Sequence, residues 1–540
     1  MADESPLAVI DEATKTVRTD CEVGQIQYKS LAECLLNKLN QWGNKEILID
    51  TESKRKWTAQ ALRQAILHVA NVLVNEVGLK KGQIVAFYCP NSDYHVILQI
   101  AVLAAGGVYT GCPSGLKYRE ITSQVLAIEA NYLVCPQEYL ETAERLRANF
   151  DVWKVIVIDA EANVKFPHAN ILSFKTLLRL KETPDVLLPI PCEIGKDLAL
   201  ILPSSGIKGT PKMVMRTHEN MLQICLVLLH PSVVFFDETE STICYQPICL
   251  PLGQTVVWSA LMTGAKIILQ TAFDAETYVT LAAEHKVKTA FFVPSHVDAV
   301  IDYSISLKKD ISSLKHIVTM GSHFAEYSAN RALIQLKLES MRSIYGMIEC
   351  GLVTIGPKKY RKPKGVGIPA PGVTVKVINP DNGELVGANQ IGEILVKSKS
   401  VTPGYYKLDS SSYFDAEGFF KTGDSGYYDK DGFFKITDHY KEIIKCDGQQ
   451  VSPEELEALL NAHMSVQESA VVGVDDEKHG QIPKAFVILK PRSSITPDDL
   501  DDYVRDQVAP WKQLRGGIVF IDKMPNTQTG AVDRRRLSMY

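Results

Sequence analysis

The chain has 540 residues, 46% hydrophobic and 22% charged, with a net charge of −5. Such a length holds roughly three or four structural units and a core that needs no disulfide staples. The acidic balance excludes a nucleic-acid binder built on a basic face or tail, and the one strong basic run, Arg534-Arg535-Arg536, reads as a solvated helix face.

Taken in order, the first fifty residues are mixed, with helical spacing at Leu31, Cys34, Leu35, Leu39 and Trp42. Thr58 opens a second helix, carried by Leu62, Ile66, Val69, Ala70 and Leu73. A strand is expected at Ile84 to Tyr88, a helix from Asn91, and strands at Tyr132 to Cys135 and Val155 to Ile158. The stretch Leu198 to Leu202 reads as a buried strand. A loop of small residues follows, Ser204 to Lys212, and then Thr217-His-Glu-Asn220 leads into a helical run, Met221 to Leu229. Strand, glycine loop and helix in succession would cradle a phosphate with backbone N–H groups, hydroxyls and lysines.

The alternation resumes with strands at Gly264 to Leu269, Thr289 to Val293 and Ile317 to Gly321, and a helix from Phe273 to Glu284. Alternating elements imply α/β architecture with largely parallel, helix-covered sheets. From Gly365 to about residue 435, short alternating runs such as Val373 to Ile378 and Gly392 to Val396 read as an antiparallel β unit. A last α+β unit begins near Asp438, where Ser452-Pro-Glu-Glu455 is a well-formed helix start. The expected division is a large domain over 1–437, with two helix-covered sheets and the β unit, and a small mobile domain over 438–540.

Eleven cysteines show no metal-ligand spacing and no C-x-x-C, which suits reduced thiols. No signal-peptide pattern opens the chain and no apolar stretch is long enough to span a membrane. The expected compartment is the cytoplasm. A peroxisomal alternative lacks its S-K-L address, since the chain ends Ser538-Met-Tyr540.

Several motifs follow the phosphate loop in fixed order: Tyr345-Gly-Met-Ile-Glu349, Lys421-Thr-Gly-Asp424, Asp431-Gly-Phe-Phe434, Asp438, Lys445-Cys-Asp-Gly448, Leu514-Arg-Gly-Gly517 and Pro525 to Gly530. Over nearly the whole chain this resembles the adenylate-forming (AMP-binding) superfamily, most of all the acyl-CoA synthetase branch with coumarate:CoA ligases and beetle luciferases. The resemblance implies that a fatty or aryl carboxylic acid attacks the α-phosphate of Mg·ATP, and that coenzyme A then displaces AMP from the acyl-adenylate. Peroxisomal residence is common among such relatives.

The resemblance also implies site residues. Ser204, Ser205, Gly206, Gly209, Lys212, Ser322, Tyr345 and Asp424 would bind ATP, and Lys208, a cation the family loop lacks, is expected to join them. Asp424 would hold the ribose and Glu349 the metal. Asp438 would be the hinge on which the small domain turns, and Lys445 and His439 would be catalytic.

Departures from the family pattern fall on chemistry. Ile207 and Lys208 replace two small hydroxyl residues, and Met213 replaces a glycine. Ile348 replaces a threonine, Leu250 stands where a histidine or aromatic residue is frequent, and His439 replaces an arginine. Ala531 replaces the lysine that reaches the α-phosphate, while Lys208 adds a cation that could stand in for it. Losing one preorganised donor to developing charge costs ~10²–10³ in rate. Two readings therefore follow: a synthetase of reduced activity, or an inactive relative that binds nucleotide and acyl ligands.

Overall fold

The computed structural model describes residues 7–149, 154–181, 187–204, 212–320, 326–380, 382–439, 444–491, 493–525, 532 and 534–539. Its helices start where the sequence supplies a cap. Ser30 accepts the Glu33 N–H at 3.0 Å at the head of Leu31–Trp42, which buries Leu31, Leu35 and Leu39 on one face. Thr58 accepts the Ala61 N–H at 3.1 Å at the head of Ala59–Val72.

A seven-stranded sheet carries the first lobe. Its order is Lys212–Thr217, Leu198–Ser204, Val108–Cys112, Ile84–Tyr88, Tyr132–Cys135, Lys154–Val157, Ile171–Ser173. Ile84–Tyr88 and Val108–Cys112 are buried at every position, as parallel strands covered on both faces must be. The second lobe consists of two sheets. One has four strands, with Lys266–Leu269 at its centre, and the other five, built on Thr289–Phe292, His316–Met320 and Ser340–Met347. The Lys288 N–H donates to the Ser241 carbonyl at 3.4 Å where their edges meet.

The antiparallel unit is a six-stranded sheet that ends Gly392–Lys397, Phe420–Tyr428, Phe434–His439. Its other edge is an N-terminal hairpin, Ala8–Asp11 with Thr16–Thr19, too short to be read from sequence alternation. The last sheet joins Ile444–Cys446, Gln449–Val451, Val466–Asp476, Gly480–Leu489 and Ile518–Phe520. Against it packs the helix Pro453–Asn461, capped by Ser452. No helix among the described residues is long and apolar enough to cross a membrane.

One expectation is corrected. The phosphate loop does not run directly into a helix. It joins two antiparallel strands, Leu198–Ser204 and Lys212–Thr217, paired Ser204 to Lys212. The helix His218–Leu229 starts only after the second strand, capped by Thr217 and Asn220. The run Lys212-Met-Val-Met-Arg-Thr217 is apolar enough to be buried at four of its six positions, so it completes the sheet edge.

His218 Nδ1 accepts the buried Leu31 N–H at 3.1 Å, and His95 Nε2 lies 3.0 Å from the Tyr109 hydroxyl. Burial pulls both imidazoles down to about 4. The unfolded chain therefore binds more protons than the folded one between about 4 and 6.5. Stability is expected to fall as pH is lowered through that window, as denaturant midpoints at a series of pH values would record. A flat profile would contradict the neutral assignment.

Candidate active site

The two lobes and the last α+β unit enclose a cavity of about 250 Å³. Tyr345, on Ser340–Met347, and Asp424, on Phe420–Tyr428, come from different sheets and meet beside it. The Tyr345 hydroxyl donates to Asp424 Oδ2 at 2.6 Å. Burial and then the neighbouring carboxylate push the phenol well above its usual range, so it stays a donor.

The Thr-Gly-Asp tripeptide holds Asp424 in place by local bonds. The Thr422 hydroxyl donates to the Ile394 carbonyl at 2.7 Å and accepts the Asp424 N–H at 3.0 Å. Gly423 sits between them at φ +72°, which favours glycine. Asp438 and His439 pair across the ladder with Ser425 and Asp424, so the expected hinge lies at the end of Phe434–His439, the strand next to the one that carries Asp424.

Glu349 sits in the turn after Ser340–Met347. Its Oε1 accepts the Tyr405 hydroxyl at 3.0 Å, and its backbone carbonyl accepts Arg216 Nη1 at 3.0 Å and the Thr402 N–H at 2.7 Å. Lys212 Nζ stands 5.0 Å from the Tyr405 ring centroid and 4.4 Å from that of Tyr413. Two tyrosine rings thus hold this cation, and the hydroxyl of one of them bonds Glu349. No group of three metal-ligating side chains occurs among the described residues. A single buried carboxylate fits a magnesium ion that takes its other ligands from nucleotide phosphates and water.

The last unit closes one side of the cavity with Lys445, Gly448, Trp511 and Lys512. Burial lowers the Lys445 ammonium, and Asp424 partly offsets it. Gly448, at φ +75°, presses on Val293, where a Cβ would lie 2.7 Å from Cγ2. Lys512 Nζ bonds Glu120 Oε1 of the first lobe at 2.6 Å and both oxygens of Glu455 at 2.9 Å. The structure thus brings Ser204, Lys212, Tyr345, Glu349, Asp424 and Lys445 to one region. Ser204, Leu250 and Ile348 line the cavity. Ser205, Gly206, Ile207, Lys208, Gly209, Ser322 and Ala531 lie outside the described residues, as do the side chains of Asp438 and His439.

Sequence reasoning missed Arg216, Tyr405, Glu120 and Lys512. The one signal was a lone arginine in the apolar run Met213-Val-Met-Arg216.

Tyr345→Phe would keep the ring and remove the bond to Asp424. A hydrogen bond to a charged group is worth roughly 1.5–3 kcal/mol. Nucleotide affinity is therefore expected to fall about tenfold or more, read by equilibrium titration. Unchanged affinity would show that Asp424 needs no help from the phenol.

Residues 35–406 match the AMP-binding enzyme family, and residues 455–531 match the AMP-binding enzyme C-terminal domain. The chain belongs to this adenylate-forming superfamily. It is 29% identical over 503 residues to 4-coumarate–CoA ligase-like 2 of Arabidopsis thaliana, covering 92% of this chain and 88% of that one. It is 30% identical over 397 residues to luciferin 4-monooxygenase of Photinus pyralis, covering 72% and 71%. Among solved structures, amide bond synthetase McbA from Marinactinospora thermotolerans superposes with a TM-score of 0.81 at 21% identity, covering 94% of this chain and 99% of that one. A double mutant of o-succinylbenzoate CoA synthetase from Bacillus subtilis gives 0.80 at 19%, covering 94% and 98%. At these identities the structural likeness shows the fold.

Proposed function

We propose that the protein joins a carboxylic acid to coenzyme A through an acyl-adenylate, with ATP as the activating substrate. The observation that carries this reading is that Tyr345, Asp424 and Lys445 meet from three different sheets, the phenol bonded to Asp424, Asp424 attracting Lys445, and Lys445 on the cavity wall. Asp424, fixed by Tyr345 and Thr422, would grip the ribose hydroxyls. Tyr345 would pack against the base. Lys212 and the hydroxyl of Ser204 would hold phosphate oxygens, and Glu349 would hold the nucleotide's magnesium, which neutralises phosphate charge.

The apolar side of the cavity, with Met221, Leu228 and Trp258, would exclude water from the mixed anhydride. Lys445 faces that cavity and is suited to the thioester step, in which the thiol of coenzyme A displaces AMP. The small domain would turn about Asp438 between the two half-reactions.

Ile348 brings a hydrocarbon to the cavity wall beside Glu349, and it favours a second reading: a slow or inactive member that binds nucleotide and acid. Purified protein, Mg·ATP and a panel of fatty and aryl acids decide between them. Pyrophosphate release that depends on the acid, and thioester formed when coenzyme A is added, support the ligase. Nucleotide binding with background release across the panel supports the binder.

A further inference from the structure

Arg216 is 2% exposed, and its Nη1 donates to the Glu349 carbonyl at 3.0 Å. That bond uses one of the five N–H donors of a guanidinium. Among the described residues Arg216 forms no ion pair. Burial pulls the group down to about 10, which leaves it cationic at neutral pH. The Glu349 carboxylate attracts it from beyond ion-pair distance, and a buried cation whose one hydrogen bond goes to a backbone carbonyl still gains from an anion in direct contact.

The anion has a place to come from, because Arg216 lines the cavity. The far end of its side chain lies by Gly351 and Ile224: a Cβ on Gly351 would sit 3.3 Å from Arg216 Nη2 and 2.9 Å from Ile224 Cδ1. Ile224 belongs to the apolar face of His218–Leu229 that also gives Met221 and Leu228 to the cavity. Glu349 turns its carboxylate to Tyr405 and its carbonyl to Arg216, so the guanidinium serves the apolar chamber rather than the Lys212 side. A second helix, Pro251–Thr263, presents Gln254 and Trp258 to the same chamber, 2% and 1% exposed. Gln254 Nε2 and Trp258 Nε1 find no acceptor among the described residues. Buried donors in a hydrophobic chamber carry a desolvation cost that a ligand oxygen would relieve.

We propose that Arg216, assisted by Gln254 and Trp258, receives a second acidic group of the substrate. The acid activated here then carries a carboxylate, or a like anion, at the end remote from the reacting one. This rests on the ligase reading above and narrows its substrate class.

The test uses the full chain and acids matched in length, octanoate against suberate and cinnamate against 4-carboxycinnamate. Dissociation constants come from calorimetry, and pyrophosphate release is followed in parallel. The wild type is expected to bind the diacid of each pair at least tenfold more tightly. Arg216→Met is expected to erase or reverse that preference, and Arg216→Lys to keep part of it. Should the Met variant fail to fold, the wild-type ratio and the Lys variant still decide. A wild type that prefers the monoacids overturns the inference. So does equal loss of both acids in Arg216→Met, or a loss confined to ATP affinity, which would make a nucleotide phosphate the anion. Diacids bound tightly with no pyrophosphate release from any acid would sink the ligase reading alone.

Discussion

Ala531→Lys is expected to raise acid-dependent pyrophosphate release by ~10²–10³-fold. Negative charge grows on the α-phosphate oxygens as the acid carboxylate attacks. A preorganised cation there lowers the barrier far more than it tightens the ground state. The Gln528-Thr-Gly-Ala531 stretch ends in a methyl group where the resemblance calls for that cation. Restoring it tests the one departure that removes a charge from the α-phosphate, with the other substituted positions left as they are. Ile348→Thr added to the same chain should contribute further, though less than the product of separate effects, because groups acting on one charge are not additive. The competing account is that Lys208 already supplies the charge. In that case Ala531→Lys changes little and Lys208→Ala abolishes the basal rate. Initial rates of the three variants with one acid separate the accounts.

Lys512→Met is expected to release the last α+β unit from the first lobe. Lys512 is buried between Glu120 and Glu455, and its ammonium is raised. Desolvation opposes that shift, but the two carboxylates outweigh it. Removing the lysine would leave two carboxylates facing each other out of water, a loss of about 3–5 kcal/mol. Glu120 also accepts the Lys117 N–H at 2.9 Å as part of its own helix cap, so its oxygens are already committed. Glu120→Gln should weaken only the link between units, since Glu455 still pairs with Lys512. Small-angle scattering and limited proteolysis would follow the release. Profiles identical to wild type in both variants would show that Trp511 and Gly448 hold the interface without the charges.

Motif order made the family legible in the sequence, and it singled out Ser204, Lys212, Tyr345, Glu349, Asp424 and Lys445, which the structure brings to one region. Thr422-Gly-Asp424 is readable because its turn is closed locally: the Thr422 hydroxyl accepts the Asp424 N–H across one left-handed glycine. Ser452 and Thr58 announce their helices for the same reason. The strand Lys212–Thr217 was hidden because a lysine and an arginine interrupt its alternation, and only the pairing with Leu198–Ser204 makes it a strand. Arg216 and Lys512 were harder still. A buried charge is recognisable only by its partners, and Glu120 lies 392 residues from Lys512. The N-terminal hairpin gains its apolar partners from Thr374–Ile378, far along the chain.

The cavity wall formed by Lys445, Gly448, Trp511 and Lys512 has a kinetic meaning. It belongs to the unit that would turn between the half-reactions of the proposed ligase, and on that reading bound molecules are roofed over by a removable part. Entry and escape are then coupled to the rupture of the Lys512 bridge to Glu120 and to rehydration of its ions. Turnover in such a vessel is paced by the opening of the roof. It should slow in viscous solvent and speed up with added salt, even where the bond-making steps beneath it are fast.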